Sequence, residues 1–353
     1  MALYLVTGGA GFIGSHLCDA LLGAGHAVRV VDDLSTGRRE NLDPRCELVV
    51  GDVADAVLLR RAMRGAAGCF HLAAVASVTP SNEDWVGTHR VNQTGTIAAL
   101  DAARAAGRIP VVYASSAAVY GDQGGEALRE DMAPRPRTPH GADKLGSELH
   151  SAIAFGMHGV PTLGFRFFNV YGPRQDPSSP YSGVISIFAA RIAAGLPVTI
   201  HGDGTQTRDF VFVADVVAHL LKGMSLLERS PGARLFNLCT GHGTSITELV
   251  RLVGQAAGRA PILRLGPPRQ GDIRASLGDP TTAANALGLI AATKLEAGLV
   301  ATLAHERLRA PRQVARRLAA ATVPDDGDLP PYSRWRGPVL ARSAGLAGSD
   351  ARY

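Results

Sequence analysis

The strongest constraint on the fold is a glycine cluster that directly follows an apolar segment at the start of the chain. Leu3–Thr7 has the composition of a buried strand, Gly8, Gly11 and Gly14 follow it, and His16–Leu22 has helical character. Glycine leaves room where a turn tightens, where a diphosphate approaches the backbone and where a helix packs on a strand. The helix N-terminus then presents free N–H groups to that anion. This order predicts a nucleotide-binding βαβ unit.

Further apolar segments of strand length alternate with helix-like segments along the first half of the chain. Such alternation is typical of a parallel sheet with crossover helices. The predicted strands are Leu3–Thr7, Ala27–Val31, Cys46–Val50, Cys69–Leu72, Pro110–Ala114 and Thr162–Phe167. We therefore predict an α/β fold of the Rossmann type, a doubly wound parallel sheet, with a smaller C-terminal lobe.

An aspartate ends the second predicted strand. Asp32 lies 18 residues after Gly14. A carboxylate at this place accepts hydrogen bonds from the adenosine ribose hydroxyls and repels a 2′-phosphate. The position favours NAD over NADP, although Arg38 and Arg39 nearby make the preference less strict.

Composition excludes several classes of protein. The net charge of +5 is spread along the chain except for an Arg-rich stretch at 307–317, so no nucleic-acid partner is expected. Cys18, Cys46, Cys69 and Cys239 have no paired spacing, so we expect neither a disulfide framework nor a metal site. The N-terminus does not resemble a signal peptide, and no apolar run reaches the ~18 residues of a membrane span. We expect a cytoplasmic protein without a membrane partner.

Several motifs resemble, in order and spacing, those of the extended short-chain dehydrogenase/reductases. They are TGGAGFIG at 7–14, the Gly51-Asp52 pair, HLAAVAS at 71–77, Asn92 in VNQTGT, ASSAAVYG at 114–121, RFFNVYGPRQ at 166–175 and GDGTQTRDFVFVADV at 202–216. Over residues 2 to about 305 the chain is most similar to the NAD-dependent sugar epimerase/dehydratase group, particularly the UDP-hexose 4-epimerases.

The resemblance implies that NAD is the cofactor and that its contacts extend beyond the glycine turn. The implied contacts are Gly8, Gly11, Phe12, Ile13 and Gly14 at the diphosphate, Asp32 at the ribose, Asp52 and Val53 at the adenine, Leu72, Ala73 and Ala74 along the diphosphate and ribose, Asn92 near the end of the fourth helix, and Lys144. Leu72–Ala74 also fits the end of a buried strand with no further role.

Epimerases of this group oxidise the sugar at C4 while a base removes the C4 hydroxyl proton, and the ketone then turns over and is reduced on its other face. The family's base is a tyrosine, followed four residues later by a lysine, a spacing that puts both on one helix face. The corresponding residues here are Ser116, which shares the hydroxyl's hydrogen bonds, His140 and Lys144. Histidine thus stands where the family has tyrosine.

Three interpretations of His140 remain open. In the first interpretation, the imidazole acts as the base, because its unperturbed pKa of ~6.5 needs less activation than that of a phenol. Two points stand against it: Lys144 disfavours the charged imidazolium, and the imidazole ring reaches less far than a phenol. Alternatively, the protein binds cofactor and sugar nucleotide with slow or no turnover. In the third interpretation, the histidine is an introduced substitution in an ordinary epimerase. A non-catalytic binding protein and a 4-ketosugar reductase are therefore the alternative functions.

The residues after the serine narrow the reaction. Dehydratases of the family carry an Asp-Glu pair there, whereas this chain has Ala117 and Ala118, so elimination lacks a proton-transfer group and redox chemistry at C4 remains. By resemblance, the substrate contacts are Ser116, Asn169 at the diphosphate, Arg208 and Arg269 at the phosphates and ribose, Asp272 at a ribose hydroxyl, and Ser276 at the substituent on C2 of the sugar. The planar fork of arginine suits phosphate oxygens.

The predicted function is an NAD-dependent 4-epimerase acting on UDP-glucose and UDP-galactose or on their N-acetyl forms. We expect residues 1–170 to form the NAD-binding domain, with later sheet strands from 171–240, and residues 171–305 to form mainly the substrate-binding lobe. The tail at 306–353 is rich in Pro and Arg, and the sequence does not decide whether it is ordered. The resemblance implies a homodimer formed through a helical bundle.

Overall fold

The computed structural model describes residues 1–75, 84–176, 183–268 and 273–308. The strands are β1 (Leu3–Thr7), β2 (Ala27–Asp32), β3 (Glu47–Val50), β4 (Gly68–His71), β5 (Val111–Ser116), β6 (Thr162–Phe167), β7 (Asn169–Tyr171), β8 (Val198–His201), β9 (Thr207–Phe212), β10 (Ala233–Leu238), β11 (Gly243–Ser245), β12 (Leu263–Gly266) and β13 (Ala275–Ser276). The helices are α1 (Phe12–Gly23), α2 (Ala56–Ala62), α3 (Trp85–His89), α4 (Gly95–Ala105), α5 (Pro139–His158), α6 (Val184–Ala193), α7 (Val213–Arg229), α8 (Ile246–Ala257), α9 (Thr281–Leu287) and α10 (Leu295–Leu308).

A seven-stranded sheet forms the centre of the molecule, in the order β10-β6-β5-β4-β1-β2-β3. Each neighbouring pair is parallel. The strand order reverses between β1 and β4, and ligands of such sheets bind beyond the carboxyl ends of the strands at that point. The predicted Rossmann-type, doubly wound sheet is confirmed.

The predicted strand positions hold to within one or two residues. Two strands differ for identifiable reasons. The run predicted from Cys46 begins at Glu47, because the Cys46 amide donates to Asp43 O within a turn. The run predicted from Pro110 begins at Val111 and extends to Ser116, since proline has no N–H to donate to the ladder.

The first helix is longer than the sequence pattern indicates. It begins at Phe12, whereas the predicted segment begins at His16. The amide of Ser15 already donates to Gly11 O. The sequence pattern places the helix start too late because glycine is a poor helix former. In the structure Gly14 lies in the first turn of the helix, where its small size allows close packing.

Among the described residues, three apolar clusters hold the fold together. One packs β1, β5 and β6 against α1 and α7, and a second packs the opposite face of the sheet against α2 and α4. The third lies in a smaller lobe built from α6, α8 and α10 with β8 and β9. In that lobe β9 pairs with β7, β11 and β13, and β8 pairs with β12.

A buried ion pair ties α5 to the sheet. Arg166 on β6 donates to both carboxylate oxygens of Glu148 on α5, over 2.9 and 2.8 Å. The guanidinium also lies 4.6 Å from the centre of the Tyr120 ring, and Ser115 donates to Glu148 as well. A buried carboxylate with several donors is held firmly in place, so the position of α5 relative to β5 and β6 is fixed.

Among the described residues, none of the helices has the length and apolarity needed to cross a membrane.

Candidate active site

A cavity of about 420 Å³ lies along the carboxyl ends of the central strands. Most of the predicted site residues line it. They are Gly8, Gly11, Phe12, Ile13, Gly14, Asp32, Asp52, Val53, Leu72, Ala73, Ala74, Ser116, His140, Lys144 and Asn169. The cavity therefore joins the predicted cofactor residues to the predicted catalytic residues in one continuous space.

The floor of the cavity is the glycine turn between β1 and α1. Gly8 has φ +69°, and a Cβ there would lie 2.7 Å from the Ala73 amide nitrogen. A Cβ at Gly14 would lie 2.2 Å from Gly8 O. Only glycine fits at either position. The first turn of α1 carries no acidic residue, so its amide groups and dipole are available to a diphosphate.

Asp32 lies at the end of β2, at one end of the cavity. Its Oδ2 accepts from the Ala10 amide at 3.0 Å and its Oδ1 from the Leu34 amide at 2.9 Å. Burial raises the pKa of this carboxyl, and the two amide donors oppose that rise. Arg38, one of the two arginines near this position, forms an ion pair with Asp176. Both arrangements favour NAD over NADP.

The predicted adenine contacts follow β3. Asp52 accepts from the Ala54 amide at 2.8 Å and forms an ion pair with Arg90. Val53 is buried beside it. The turn between β3 and α2 is thus held in place by its own aspartate, and it presents both predicted residues to the cavity.

Asn92 lies in a π-helical turn, Arg90–Thr94, that directly follows the end of α3 at His89 and precedes α4. Its contact with NAD stays a prediction. Its side chain does not line the cavity within the described ranges. Its Oδ1 accepts from Val75 N at 2.8 Å and its Nδ2 donates to Val75 O at 3.1 Å. Asn92 therefore positions the chain segment after β4, which itself lines the cavity.

A buried polar chain behind this segment was missed by the sequence analysis. The Thr7 Oγ1 lies 2.8 Å from Nδ1 of His71 and accepts from the amides of Leu72 and Ala73 at 3.2 and 3.3 Å. Nε2 of His71 lies 3.2 Å from Thr96 Oγ1. Burial lowers the pKa of His71 to about 3, so the ring is neutral. His71, Leu72 and Ala73 bond Thr7 because β1 pairs with β4 in the sheet, a pairing that the sequence motif alone does not reveal.

His140 occupies the second position of α5 and lines the cavity. Its Nδ1 lies 2.9 Å from Val75 O. A carbonyl only accepts hydrogen bonds, so Nδ1 carries the proton and the lone pair of the neutral ring is on Nε2. Burial, and secondly the charge of Lys144, lower the pKa of His140 to about 4. At neutral pH the residue is therefore an uncharged imidazole whose basic nitrogen is Nε2.

Lys144 lies one helical turn after His140. Its Nζ donates to Ala114 O at 2.8 Å. Burial lowers its pKa to about 8, although Asp143 and Glu148 oppose this shift, so the ammonium remains largely charged at pH 7. Ser116 lines the same cavity and accepts from the Ala118 amide at 3.1 Å. The structure thus brings the three predicted catalytic residues to one cavity.

The predicted substrate residues are only partly brought together. Asn169 on β7 lines the cavity, whereas Arg208 and Ser276 are register partners in the parallel pair of β9 and β13 and do not line it. Arg208 Nη1 donates to Thr207 O at 2.9 Å. Arg269 and Asp272 lie outside the described residues. The roles of these four residues stay predictions.

We predict that Asp32→Ala narrows the preference for NAD over NADP by roughly tenfold or more, because a charge-assisted hydrogen bond contributes ~1.5–3 kcal/mol. Calorimetric dissociation constants for both cofactors, in the parent and in the variant, measure the change. Glu40→Ala is the control, since the Glu40 side chain is an exposed carboxylate that does not line the cavity. Equal affinity of the unmodified protein for NAD and NADP would contradict the assignment.

Comparison with known proteins places this site in a family. The NAD dependent epimerase/dehydratase family matches residues 4–239. The UDP-glucose 4-epimerase of Mycolicibacterium smegmatis is 39% identical over 306 residues, which cover 85% of this chain and 96% of that protein.

Two solved structures share the fold closely. The UDP-glucose 4-epimerase of Thermotoga maritima, determined with UDP-glucose, has a TM-score of 0.82 and 35% identity, covering 87% of this chain and 99% of the other. The UDP-N-acetylglucosamine 4-epimerase of Methanobrevibacter ruminantium, determined with UDP-N-acetylmuramic acid, has a TM-score of 0.82 and 30% identity, covering 88% and 99%. The prediction of NAD as the cofactor is confirmed, and the chain belongs to the NAD-dependent epimerase/dehydratase family.

Proposed function

We propose that this protein is an NAD-dependent 4-epimerase of UDP-sugars that works by transient oxidation at C4. The observation that carries the proposal is the shared cavity wall of Ser116, His140 and Lys144. Ala117 and Ala118 beside them cannot transfer a proton, so the site supports redox at one carbon and not elimination. The similar proteins named as 4-epimerases support the same reaction.

The bound cofactor supplies an acceptor for the hydrogen and electron pair that leave C4. The chain's own residues handle the proton. Nε2 of His140 accepts the proton of the C4 hydroxyl, and Ser116 shares the hydrogen bonds of that oxygen. The charge of Lys144 favours the anionic character that develops on the oxygen.

His140 is a weak base for this task. A general base is most effective when its pKa lies near the working pH, and burial has moved the pKa of His140 to about 4. Each pKa unit corresponds to ~1.36 kcal/mol between the two protonation states. The proposed epimerase is therefore slow compared with one that has a phenolate in this position.

The burial and low pKa of His140 also favour a second candidate, a protein that binds NAD and a UDP-sugar without useful turnover. A buried neutral imidazole donating to Val75 O fits a positioning role in the wall as well as it fits a base. The two candidates differ in what removal of Nε2 does. Loss of turnover in His140→Phe supports the epimerase, and unchanged residual turnover supports the binding protein.

We predict that His140→Tyr raises 4-epimerase turnover by at least about an order of magnitude, since a phenol beside the Lys144 ammonium is both longer and more easily tuned toward working pH. The measurement is interconversion of UDP-glucose and UDP-galactose, and of their N-acetyl forms, by the purified proteins. His140→Phe is the size-matched control without a proton acceptor. If the tyrosine variant is no faster than the parent, the role given to this position is wrong.

We propose further that the sugar site accepts an N-acetyl group at C2. Ser276, the predicted gate residue, and its neighbour Ala275 are both small, and they form β13 beside Arg208. Overlap with an oversized residue costs far more than the ~1–3 kcal/mol lost when a methylene is missing. The similarity to a UDP-N-acetylglucosamine 4-epimerase supports a roomy site.

We therefore expect Ser276→Tyr to abolish binding of UDP-N-acetylglucosamine while leaving the affinity for UDP-glucose unchanged. Dissociation constants of both sugars test this independently of turnover. Ser276→Ala, which keeps the space, should bind both as the parent does. An unmodified protein that binds UDP-glucose and excludes the N-acetyl sugar would show that the gate is closed.

We also propose a homodimer through α4 and α5. Leu149, Ile153 and Met157 recur every fourth residue along α5 and are exposed, as is Ile97 on α4. Contiguous exposed apolar surface marks association sites, and a twofold axis lets one such face pair with itself.

Ile153→Asp should give a monomer in sedimentation velocity, whereas Ile290→Asp, also at an exposed isoleucine, should not. A monomeric parent would refute the proposal.

A further inference from the structure

The strand β12 of the smaller lobe carries apolar side chains into solvent. Ile262, Leu263 and Leu265 expose 54, 50 and 76% of their surface, and Arg264 between them is also exposed. Among the described strands, β12 pairs with β8 alone, so its other edge is open. Proteins normally cover or charge such an edge, because an open apolar strand promotes association. The described part of the chain therefore leaves β12 without a covering segment.

A small apolar cavity adjoins this strand. Its volume is about 210 Å³, which leaves room for one aliphatic side chain, and its walls include Ile192, Leu196 and Ile262. The guanidinium of Arg259 lies at the same cavity, where a Cβ on Gly195 would come within 2.3 Å of its Nη1. Ile262 belongs to the cavity wall and also directly precedes β12. The cavity, Arg259 and residues 262–265 thus form one continuous surface, the β12 surface.

Two cations lie on the β12 surface. The side chains of Arg259 and Arg264 are exposed, and neither forms an ion pair with another described residue. A guanidinium group can bind both oxygens of a carboxylate through two parallel hydrogen bonds. The β12 surface therefore fits a segment in which carboxylates stand beside aliphatic side chains.

The chain itself contains such a segment after its last described residue, Leu308. Residues 323–329 have the sequence VPDDGDL, in which three aspartates lie between a valine and a leucine. Asp350 is the one other acidic residue in the sequence from 309 to 353, and arginines are frequent there. The acidic and apolar character of 323–329 is therefore complementary to the charge and apolarity of the β12 surface.

The segment is close enough along the chain to reach this surface. The helix α10 ends at Leu308, and its Leu299 and Leu303 share an apolar cluster with Ile192 of the cavity wall. The 16 residues from 309 to 324 span up to roughly 50 Å when extended. The 14-residue helix α10 is only about 21 Å long. Residues 323–329 can therefore reach any face of the lobe to which α10 belongs.

We propose that residues 323–329 of this chain bind the β12 surface. Leu329 enters the cavity, and the adjacent Asp328 pairs with Arg259. The other two aspartates of the segment pair with Arg264, and its valine covers the leucines of β12. Exposed ion pairs contribute little individually, so the apolar contacts provide most of the affinity and the charges select this segment and its register. The bound segment shields the open edge of the lobe from a second molecule.

The test uses the full-length protein with the photoreactive residue p-benzoylphenylalanine in place of Leu265, which keeps the position apolar. Illumination followed by mass spectrometry of the peptides identifies what lies against β12. We expect cross-links within one chain to residues 323–329. The same photoreactive residue in place of Val57, an exposed position on α2 in the other part of the molecule, is the control and should not cross-link to this segment.

A charge exchange then tests the pairing of Asp328 with Arg259. Asp328→Arg and Arg259→Asp should each lower the yield of the cross-link by roughly threefold or more, because each replaces an attraction with a repulsion, and the two together should restore it. Asp350→Arg, which makes the same change elsewhere in the sequence after Leu308, is the matched control and should leave the yield unchanged. Thermal unfolding confirms that each variant is folded.

Three results would overturn the proposal. The first is the absence of a cross-link between position 265 and residues 323–329, or cross-links that fall on another part of the chain instead. The second is a product of twice the monomer mass as the main species, since a second copy of the chain would then cover β12. The third is a cross-link yield that neither charge reversal changes, because the pairing that selects the segment would then be wrong.

Discussion

The close approach of the β1–α1 turn to the end of β4 is the constraint on which the site depends. A Cβ at Gly8 would overlap Leu72 and Ala73, which shows that the turn lies directly against the chain there, and a Cβ at Gly14 would overlap Gly8 within the turn itself. This proximity brings Thr7 within hydrogen-bonding distance of those two amides. The segment after β4 is thereby held against the turn, and Val75, two residues after Ala73, bonds Asn92 and His140.

Val75 links this backbone constraint to the catalytic residues. Its carbonyl accepts from Asn92 and from His140. The second bond decides which nitrogen of the imidazole is basic, and the burial that accompanies it makes the ring a poor proton acceptor. The scaffold therefore keeps the geometry of a redox site while the base it carries is weak. Lys144, whose Nζ donates to Ala114 O, has two opposite effects on the reaction. Its charge stabilises an anionic oxygen on the substrate, but it also disfavours the imidazolium that His140 becomes when it accepts the proton.

Local features were readable from the sequence. The glycine turn, Asp32 and the strands follow from short patterns whose physical meaning does not depend on distant residues, and the same holds for the spacing of His140 and Lys144. Contacts between distant segments were not readable. The bonds of Asn92 to Val75, and those of Thr7 to His71 and Leu72, form only when segments far apart in the sequence pack together. The pKa values of buried groups such as His71 likewise depend on the complete fold.

The pH dependence of cofactor reduction tests the central claim most directly, using NAD-loaded protein mixed with UDP-glucose and the absorbance of reduced nicotinamide. Proton removal needs neutral His140, so the rate should fall as the pH decreases through about 4. It also needs charged Lys144, so the rate should fall as the pH rises through about 8. The account predicts a plateau between these limits. An acidic limb near the unperturbed imidazole value of ~6.5, or no reduction at any pH, would contradict it.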